Sequence, residues 1–415
     1  MSLNSLPYIL FLSVCYLLYR LIPTKYRKTV LLAAGLAFYW FCGRAIILVP
    51  AASILCNYFL AGAIGRSNSK RILILSLCLN IGMLLLFKLS GIIPGLRENI
   101  VLPTGISFFT LAVCGYLTDI YRGKCEAENN FPDFALFVLF FPSLSSGPIE
   151  RYSHLSPQLK KAAAGEIDAD AKCFENGIFR ICRGFFLKLC VADNIKILVD
   201  TAYASPEKFS GIPLIIAVLL YSMQIYCDFA GYSDIAIGSA KLFGIELMEN
   251  FEAPYLSTSI KNIWRRWHIS LSSWFKDYLY FPLGGSRKGR VRTYLNLMIV
   301  FIVSGLWHGT GITFIIWGAL NGLYQVIESI IESRAGTGKK GGRWRVVLNY
   351  LLMSFAWIFF RCGSLDEVFA VAGSLFSAGN AGVFEMGLTA APLVFLAVCI
   401  LAVTVNDAIS MSDPQ

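Results

Sequence analysis

Long apolar runs recur along this chain from Leu6 to Val405, and they constrain its fold more than any other feature. Hydrophobic residues make up 56% of the 415 residues, whereas charged residues make up only 15%. A soluble globular domain carries about 25% charged residues. The runs are continuous and do not alternate with a period of two, which disfavours a porin-like barrel. The composition therefore predicts an all-α polytopic membrane protein, because a helix satisfies its own backbone hydrogen bonds in lipid.

The apolar runs predict about ten to twelve helices that cross or enter the bilayer, since about 20 apolar residues span it. The segments are Leu6–Ile22, Thr29–Phe41, Ala45–Ile64, Arg71–Leu89, Asn99–Ile120, Ile212–Phe243, Thr293–Trp307, Ile312–Ile331, Val346–Phe360 and Pro392–Val405, with the weaker Phe131–Phe141 and Val368–Phe376. Residues 174–199 mix apolar with basic residues, which favours an amphipathic interfacial helix or a tilted span.

The formal net charge of +10 is interpreted as a membrane-orientation signal and not as a nucleic-acid footprint. Basic residues cluster in the loops 20–28, 66–71, 287–292 and 334–345. Cytoplasmic loops of helical membrane proteins are enriched in Lys and Arg. The pattern therefore predicts a multi-pass protein whose N-terminus faces outward. Its first apolar run lacks a basic leader and a clear cleavage site, so we expect a membrane helix there and not a signal peptide.

The stretch from Trp264 to His308 holds two of the three histidines, His268 and His308, each directly after a tryptophan. Imidazole exchanges protons easily near neutral pH, so this stretch is a candidate site. Aromatic and apolar residues recur at spacings of three and four between positions 264 and 278. That spacing predicts one helix, ended by Pro282, on which His268 faces aromatic neighbours. The alternative for His268 is a buried structural role.

The position of His308 can be estimated from the length of the segment that leads to it. Thr293–Trp307 would rise outward from the basic loop 287–292, which places His308 about 20–25 Å above that loop. A hydrocarbon core is about 30 Å thick, so we expect this histidine in the outer half of the membrane. Gly305, Gly309 and Gly311 surround it, and glycine permits close backbone approach or a break.

Two carboxylates, Asp228 and Asp234, lie deep in an apolar run. Ionisable groups inside membrane segments are expensive, which makes a functional role the default, and hydrogen bonding that holds the bundle together is the alternative. The segment Pro142–Tyr152 is predicted to be irregular, because its prolines cannot continue a helix. The twelve cysteines lie mostly in apolar runs and are interpreted as small buried hydrophobes. No cluster has metal-ligand spacing, and no metal site is predicted.

Several motifs together resemble the membrane-bound O-acyltransferase (MBOAT) family, and within it the bacterial branch that acetylates exported polysaccharides such as alginate. The motif residues are Gln224–Gly238, Asn250–Tyr255, Trp264–Gly285 and Ser304–Gly309, and the similarity extends to Pro142–Tyr152. The resemblance implies a funnel-shaped helical bundle with re-entrant and interfacial helices and a central tunnel. We expect a single domain with N-terminal helices at 1–100, a motif-bearing catalytic core at 101–331 and C-terminal helices at 332–415.

The resemblance also implies roles for individual residues. It assigns the catalytic base to His308 and a second functional position to His268, which could orient the donor or stabilise charge. The expected substrate-binding or tunnel residues are Trp264, Trp267, Asp228, Asp234, Ser304, Trp307 and Gly309. Similar proteins often carry a carboxylate just before the Trp-Arg-Arg-Trp-His motif, whereas this chain has Lys261-Asn262-Ile263 there.

Donor, acceptor and partner follow from the same resemblance. It implies a cytoplasmic acyl-thioester, acetyl-CoA, as donor substrate with no bound cofactor, and an exported or cell-envelope polysaccharide as acceptor. The basic residues of the loop 287–292 could meet the phosphates of the donor, or they could only fix topology. An extracytoplasmic, esterase-like acetyltransferase is the expected partner, and the bacterial cytoplasmic membrane is the expected location.

Two alternatives stay open from the sequence. The first is transfer of D-alanine or another acyl group to teichoic acid by the same fold. The second is a non-enzymatic transporter, which accounts for Asp228 and Asp234 but not for two Trp-His pairs.

Overall fold

The computed structural model describes residues 1–43, 47–90, 102–145, 147–167, 170–335, 342–377, 379 and 381–412. These residues form helices joined by turns and loops, and none of them forms a β-strand. One isolated antiparallel bridge joins Phe251 to Trp267. The predicted all-α fold is therefore confirmed. The predicted segments that begin at Ala45 and Asn99 have their first residues outside the described part.

The helices follow one another along the whole chain. In chain order they are α1 (Leu6–Leu21), α2 (Arg27–Cys42), α3 (Leu48–Ser67), α4 (Lys70–Ser90), α5 (Ile106–Tyr121), α6 (Phe131–Leu139), α7 (Phe141–Leu144), α8 (Tyr152–Ala164), α9 (Ala171–Phe185), α10 (Asp193–Ala204), α11 (Ile212–Lys241), α12 (Ile260–Arg266), α13 (Ile269–Phe275), α14 (Arg290–His308), α15 (Ile312–Ala335), α16 (Trp344–Arg361), α17 (Leu365–Ser374) and α18 (Ala390–Ser412). Two π-helical turns, Phe186–Ala192 and Lys276–Tyr280, follow α9 and α13.

Among the described residues, six helices are long and apolar enough to cross a membrane: α3, α4, α11, α14, α15 and α18. The shorter helices α1 and α5 are also apolar. Many large apolar side chains on these helices are exposed in the isolated chain, for example Leu86 and Val394. Such faces are expected to meet lipid. The polytopic architecture is confirmed, while the outward N-terminus and the tunnel stay predictions.

Backbone contacts divide the chain into two compact units. The first unit contains residues 1–184 and 232–249, and the second contains 185–231 and 250–415. The division runs through α11, whose residues up to Gly231 belong to the second unit. The three consecutive segments expected from the sequence stay a prediction.

The first unit has an aromatic core and an ion-pair network around the buried Asp234. Tyr8 and Phe141 are almost fully buried, and the ring of Phe141 lies 6.3 Å from that of Phe38. Arg180 donates from Nε to Asp234 at 2.6 Å and from Nη1 to Glu249 at 3.0 Å. A buried charge is costly unless it is paired, and this network pairs the charge of Asp234 with a cation of its own unit.

The second unit is built around buried tryptophans and a tightly packed pair of helices, α14 and α15. Trp317 on α15 is fully buried and stacks on Trp357 of α16 with ring centroids 5.5 Å apart. A Cβ on Gly305 would overlap the carbonyl oxygen of Phe314, and a Cβ on Gly318 would overlap that of Phe301. The two glycines therefore allow α14 and α15 to approach each other backbone to backbone.

The predicted continuous helix over positions 264–278 is wrong. The chain breaks at Trp267 and His268, between α12 and α13, and a π-helical turn replaces the last α-helical turn. Trp267 is extended, and His268 has a positive φ of 44°. The aromatic spacing suggested one helix, but the isolated bridge from Trp267 to Phe251 takes backbone groups out of the helical pattern.

We expect Gly305→Ala to destabilise the protein, since its Cβ meets backbone that cannot turn aside. Overpacking of this kind typically costs about 1–3 kcal/mol. The melting temperature of the detergent-solubilised protein is the measurement. Gly373→Ala is the matched control, because a Cβ at that position in α17 meets open space. Equal melting temperatures for the two variants would contradict the packing of α14 against α15.

Candidate active site

The break at Trp267 and His268 is held by backbone partners from residues 250–252. The Glu252 N–H donates to the Arg266 carbonyl at 3.0 Å, and the Ile269 N–H donates to the Asn250 carbonyl at 3.0 Å. The Asn250 side chain is fully buried, and its Oδ1 accepts from Ser270 Oγ at 2.6 Å. Buried backbone groups freed by a helix break require such partners. The segment 250–252 therefore fixes the direction in which His268 points.

His268 is 2% exposed, and neither ring nitrogen has a hydrogen-bond partner within the described protein. Its ring lies edge-on to Phe229 at 4.6 Å and 6.1 Å from the ring of Trp307. Burial lowers the pKa of His268 well below its usual value, and His308 lowers it further. The imidazole is therefore neutral near pH 7, and it keeps one donor and one acceptor for a bound molecule.

His308 is the last residue of α14 and lies among aromatic rings. Its ring centroid is 4.8 Å from that of Trp307, 5.2 Å from Trp317 and 5.3 Å from Phe360. Trp317 also contacts Trp264, at 5.7 Å, so one buried indole touches both a histidine and the first tryptophan of the other motif. The structure thus brings the two Trp-His motifs to one aromatic wall.

Both histidines line a single cavity of about 370 Å³ in the second unit. The cavity walls combine apolar side chains with a few hydroxyl, amide and basic groups. The lining residues are Lys261, Trp264, Arg265, Trp267, His268, Ile269, Leu271, Ser272, Ser273, Phe275, Lys276, Tyr280, Leu297, Val300, Phe301, Ser304, His308 and Gln325. A mostly apolar cavity with a few convergent polar groups is the usual form of a small-molecule site.

The charges around this cavity are all positive among its described lining residues. Lys261, Arg265 and Lys276 contribute cations, and no carboxylate is among the lining residues. The basic loop 287–292, which the sequence offered as a phosphate contact, contributes no lining residue. Any attraction of the cavity for an anionic molecule therefore comes from α12 and the turn after α13.

The other predicted site residues occupy three kinds of position. Trp264, Trp267 and Ser304 line the cavity with the histidines. Trp307 does not line it but contacts both imidazole rings. Gly309 follows α14, and a Cβ there would overlap the ring of Phe314, so this glycine allows the chain to turn closely into α15.

The two predicted site aspartates, Asp228 and Asp234, both form ion pairs. In the second unit, Asp228 Oδ1 accepts from Lys188 Nζ at 2.6 Å, and the same ammonium reaches Asp193 at 2.6 Å. In the first unit, Asp234 pairs with Arg180 and lies 3.3 Å from Arg183 Nη1. Neither aspartate is among the described residues that line the cavity. These contacts fit the structural alternative for both.

The sequence did not point to several residues that hold or line this site. Asn250 was part of a motif, but nothing in the sequence linked it to the helix break. Gln325 lines the cavity from α15, and Phe229 packs on His268 from α11. Only the helical register of Gln325 relative to Trp317 could have suggested an inward direction. The described residues contain no group of three or more His, Cys, Asp or Glu side chains that could hold a metal ion.

Comparison with known proteins places the chain in a family. Residues 127–362 match the model of the membrane-bound O-acyltransferase family. The chain belongs to this family. It is 36% identical over 383 residues to a Pseudomonas fluorescens protein named probable alginate O-acetylase, covering 91% of this chain and 76% of that protein.

Two further relatives carry other acceptors in their names. A Helicobacter pylori protein named peptidoglycan O-acetyltransferase is 34% identical over 388 residues, covering 83% of this chain and 73% of the relative. A Bacillus subtilis protein named teichoic acid D-alanyltransferase is 30% identical over 262 residues, covering 60% of this chain and 65% of the relative. The resemblance seen in the motifs is confirmed, and the chain is a membrane O-acyltransferase and not a non-enzymatic transporter.

We expect His268→Asn to keep part of the acyl-transfer activity and His268→Gly to lose it. Asparagine is neutral, offers a donor and an acceptor, and tolerates positive φ. Glycine accepts the backbone conformation but supplies no polar group. Acyl transfer per mole of membrane-inserted protein is the measurement. If both variants retained the same measurable activity, only the backbone conformation at position 268 would matter.

Proposed function

We propose that this O-acyltransferase moves an acetyl group from a cytoplasmic thioester, acetyl-CoA, toward an exported or cell-envelope polysaccharide. The observation that carries the proposal is the joint lining of one cavity by His268 and His308, against an aromatic wall and beside three cations. The names of the relatives that cover most of this chain support an acetyl group and a glycan acceptor.

His308 is the proposed general base. It takes the proton from an acceptor hydroxyl while that oxygen attacks the thioester carbonyl, and the carbon–sulfur bond breaks as the ester forms. The departing thiolate then takes the proton from the imidazolium, so proton and charge balance. General-base catalysis is typically worth 10²–10⁴-fold.

His268 is proposed to donate a hydrogen bond to the carbonyl oxygen as negative charge develops there. A neutral imidazole serves this role, and its burial among Phe229 and Trp307 strengthens the interaction. Trp264 and Trp267 keep water from the thioester, which limits hydrolysis.

The charge of the cavity favours acetyl over D-alanyl transfer. A D-alanyl group carries an ammonium, which calls for a carboxylate nearby, whereas Lys261, Arg265 and Lys276 would repel it. An acetyl group is neutral, and the same three cations suit the phosphates of its carrier. The 30% identity to a teichoic acid D-alanyltransferase keeps the second candidate open to test.

We further propose that the chain acts in the bacterial cytoplasmic membrane with an extracytoplasmic, esterase-like acetyltransferase. The cavity lies in the unit that contains the spanning helices α14, α15 and α18, which supports transfer within the bilayer. As the family resemblance implies, this partner would complete delivery of the acetyl group to the sugar.

Mass spectrometry of ester groups on envelope glycans tests the proposal. We expect a deletion strain and a His308→Ala strain to lose acetyl esters alike, provided the variant is present in the membrane. A His154→Ala strain is the control, since that histidine lies in α8 of the first unit, outside the cavity. Loss of D-alanyl esters instead would favour the second candidate, and unchanged esters would contradict both.

The basic residues of the cavity yield a separate test. We expect Lys276→Gln and Arg265→Gln to raise the KM for acetyl-CoA several-fold with little change in kcat, because they act on the carrier and not on the reacting carbonyl. The difference in KM from wild type should shrink at high salt, because salt screens the attraction between the wild-type cation and the phosphates. Arg287→Gln is the matched control, since it lies outside the cavity lining. An equal rise in KM for Arg287→Gln would move the anion site to the basic loop.

A further inference from the structure

We propose that Glu328 is a positioning residue for the active site, acting through α12. Its Oε1 accepts from the Ile260 N–H at 3.1 Å, and its Oε2 accepts from the Lys261 N–H at 3.0 Å. Both carboxylate oxygens thus accept hydrogen bonds from two successive backbone amides of another helix. Glu328 does not line the cavity, so it acts on the substrate only through the residues it holds.

The contact completes the first turn of α12. The Ser259 hydroxyl accepts from the Asn262 N–H at 3.1 Å, so side chains satisfy the first three amides of this helix. Amides at a helix start carry partial positive charge, and a carboxylate is favoured beside them. A seven-residue helix has little stability of its own, so its place depends on such contacts.

The position of α12 determines where several cavity-lining side chains lie. Lys261, Trp264 and Arg265 all line the cavity, and His268 follows one residue after the extended Trp267. A shift of α12 along α15 would move these side chains together. Displacement of about 1 Å in a catalytic arrangement can cost about 100-fold in rate.

Glu328 also connects the two halves of the catalytic arrangement. It lies on α15, and the other end of α15 packs on α14, whose last residue is His308. Trp264 of α12 makes ring contacts with both of these helices, with Phe301 at 5.1 Å and with Trp317 at 5.7 Å. Ring contacts of this kind hold α12 at a fixed distance from its neighbours but are weakly directional, whereas a two-oxygen, charge-assisted contact also fixes the register of α12 along α15.

The inference rests on the proposed acetyl transfer, and the experiment separates the two. Initial rates are measured with radiolabelled acetyl-CoA in inverted membrane vesicles, which retain partner and acceptor. We expect Glu328→Gln to lower kcat about 10- to 100-fold with a smaller change in KM. Glu332→Gln, one turn further along α15 and exposed, is expected to match wild type. Wild-type kcat in Glu328→Gln would overturn the positioning role.

A second variant tells positioning from simple helix capping. Asn262→Glu creates a Ser-x-x-Glu capping box with Ser259, which stabilises α12 locally but does not tie it to α15. Added to Glu328→Gln, we expect it to restore the melting temperature but not kcat. Full recovery of kcat would show that Glu328 only caps a helix, and would overturn the proposal.

The experiment also separates loss of the positioning role from two other outcomes: a variant that fails to insert into the membrane, and failure of the proposed function itself. If Glu328→Gln is missing from the membrane, Glu328→Asp decides, since it keeps the charge but is one methylene shorter. An inserted Glu328→Asp protein with reduced kcat supports the role, and a wild-type kcat overturns it. If His308→Ala also retains wild-type transfer, the proposed function fails, not the positioning role alone.

Discussion

The candidate active site depends on hydrogen bonds that satisfy the backbone groups at a helix break inside packed protein. Where α12 stops at Arg266, the chain leaves helical geometry for two residues and then resumes as α13. An unpaired buried backbone group costs as much as a lost hydrogen bond, so the break persists only because residues 250–252 pair with it. His268 also adopts a left-handed backbone conformation, which costs free energy in a residue with a side chain. The strain and the pairing together give one imidazole a fixed direction into the cavity.

A wall of tryptophans carries this local geometry to the second histidine. Trp267 contacts Trp357 at 5.1 Å, Trp357 stacks on Trp317, and Trp317 contacts His308. Indole rings are large and rigid, and closely packed interiors transmit displacement instead of absorbing it. The separation of the two imidazoles is thus set by ring against ring. The glycines of α14 and α15 also let these two helices approach closely, and α14 ends in His308.

The sequence predicted the membrane class and the shared location of His268 and His308, because these depend on composition and on motifs. The predicted span Arg71–Leu89, for example, differs from α4 by one residue at each end. The break at Trp267 could not be predicted, since the aromatic residues keep helical spacing across it. Its cause lies in Asn250, a residue whose role appears only when the chain folds back.

The same limit explains Asp228, Asp234 and Glu328. Hydropathy shows that the two aspartates lie in an apolar segment, where a charge costs free energy. It cannot reveal that Lys188 and Arg180 neutralise them. Glu328 lies near the end of an apolar helix, where a carboxylate is ordinary, and its amide partners are more than 60 residues away in sequence. Long-range pairing of polar groups is therefore what sequence patterns miss here, and each such pair lies next to an element that carries a motif.

The cavity must meet two opposing requirements, the exclusion of water and the provision of polar partners for charged groups. The proposed thioester donor requires apolar walls that exclude water, whereas its anionic carrier and the oxyanion of the proposed reaction require polar partners. The lining residues meet both demands by position: rings and aliphatic side chains such as Phe301 and Leu271 make most of the surface, while cations and imidazoles are few. With no carboxylate among the described lining residues, the cations keep their charge available to a ligand. An anionic carrier with a neutral acyl group matches this distribution better than a cationic acyl group does.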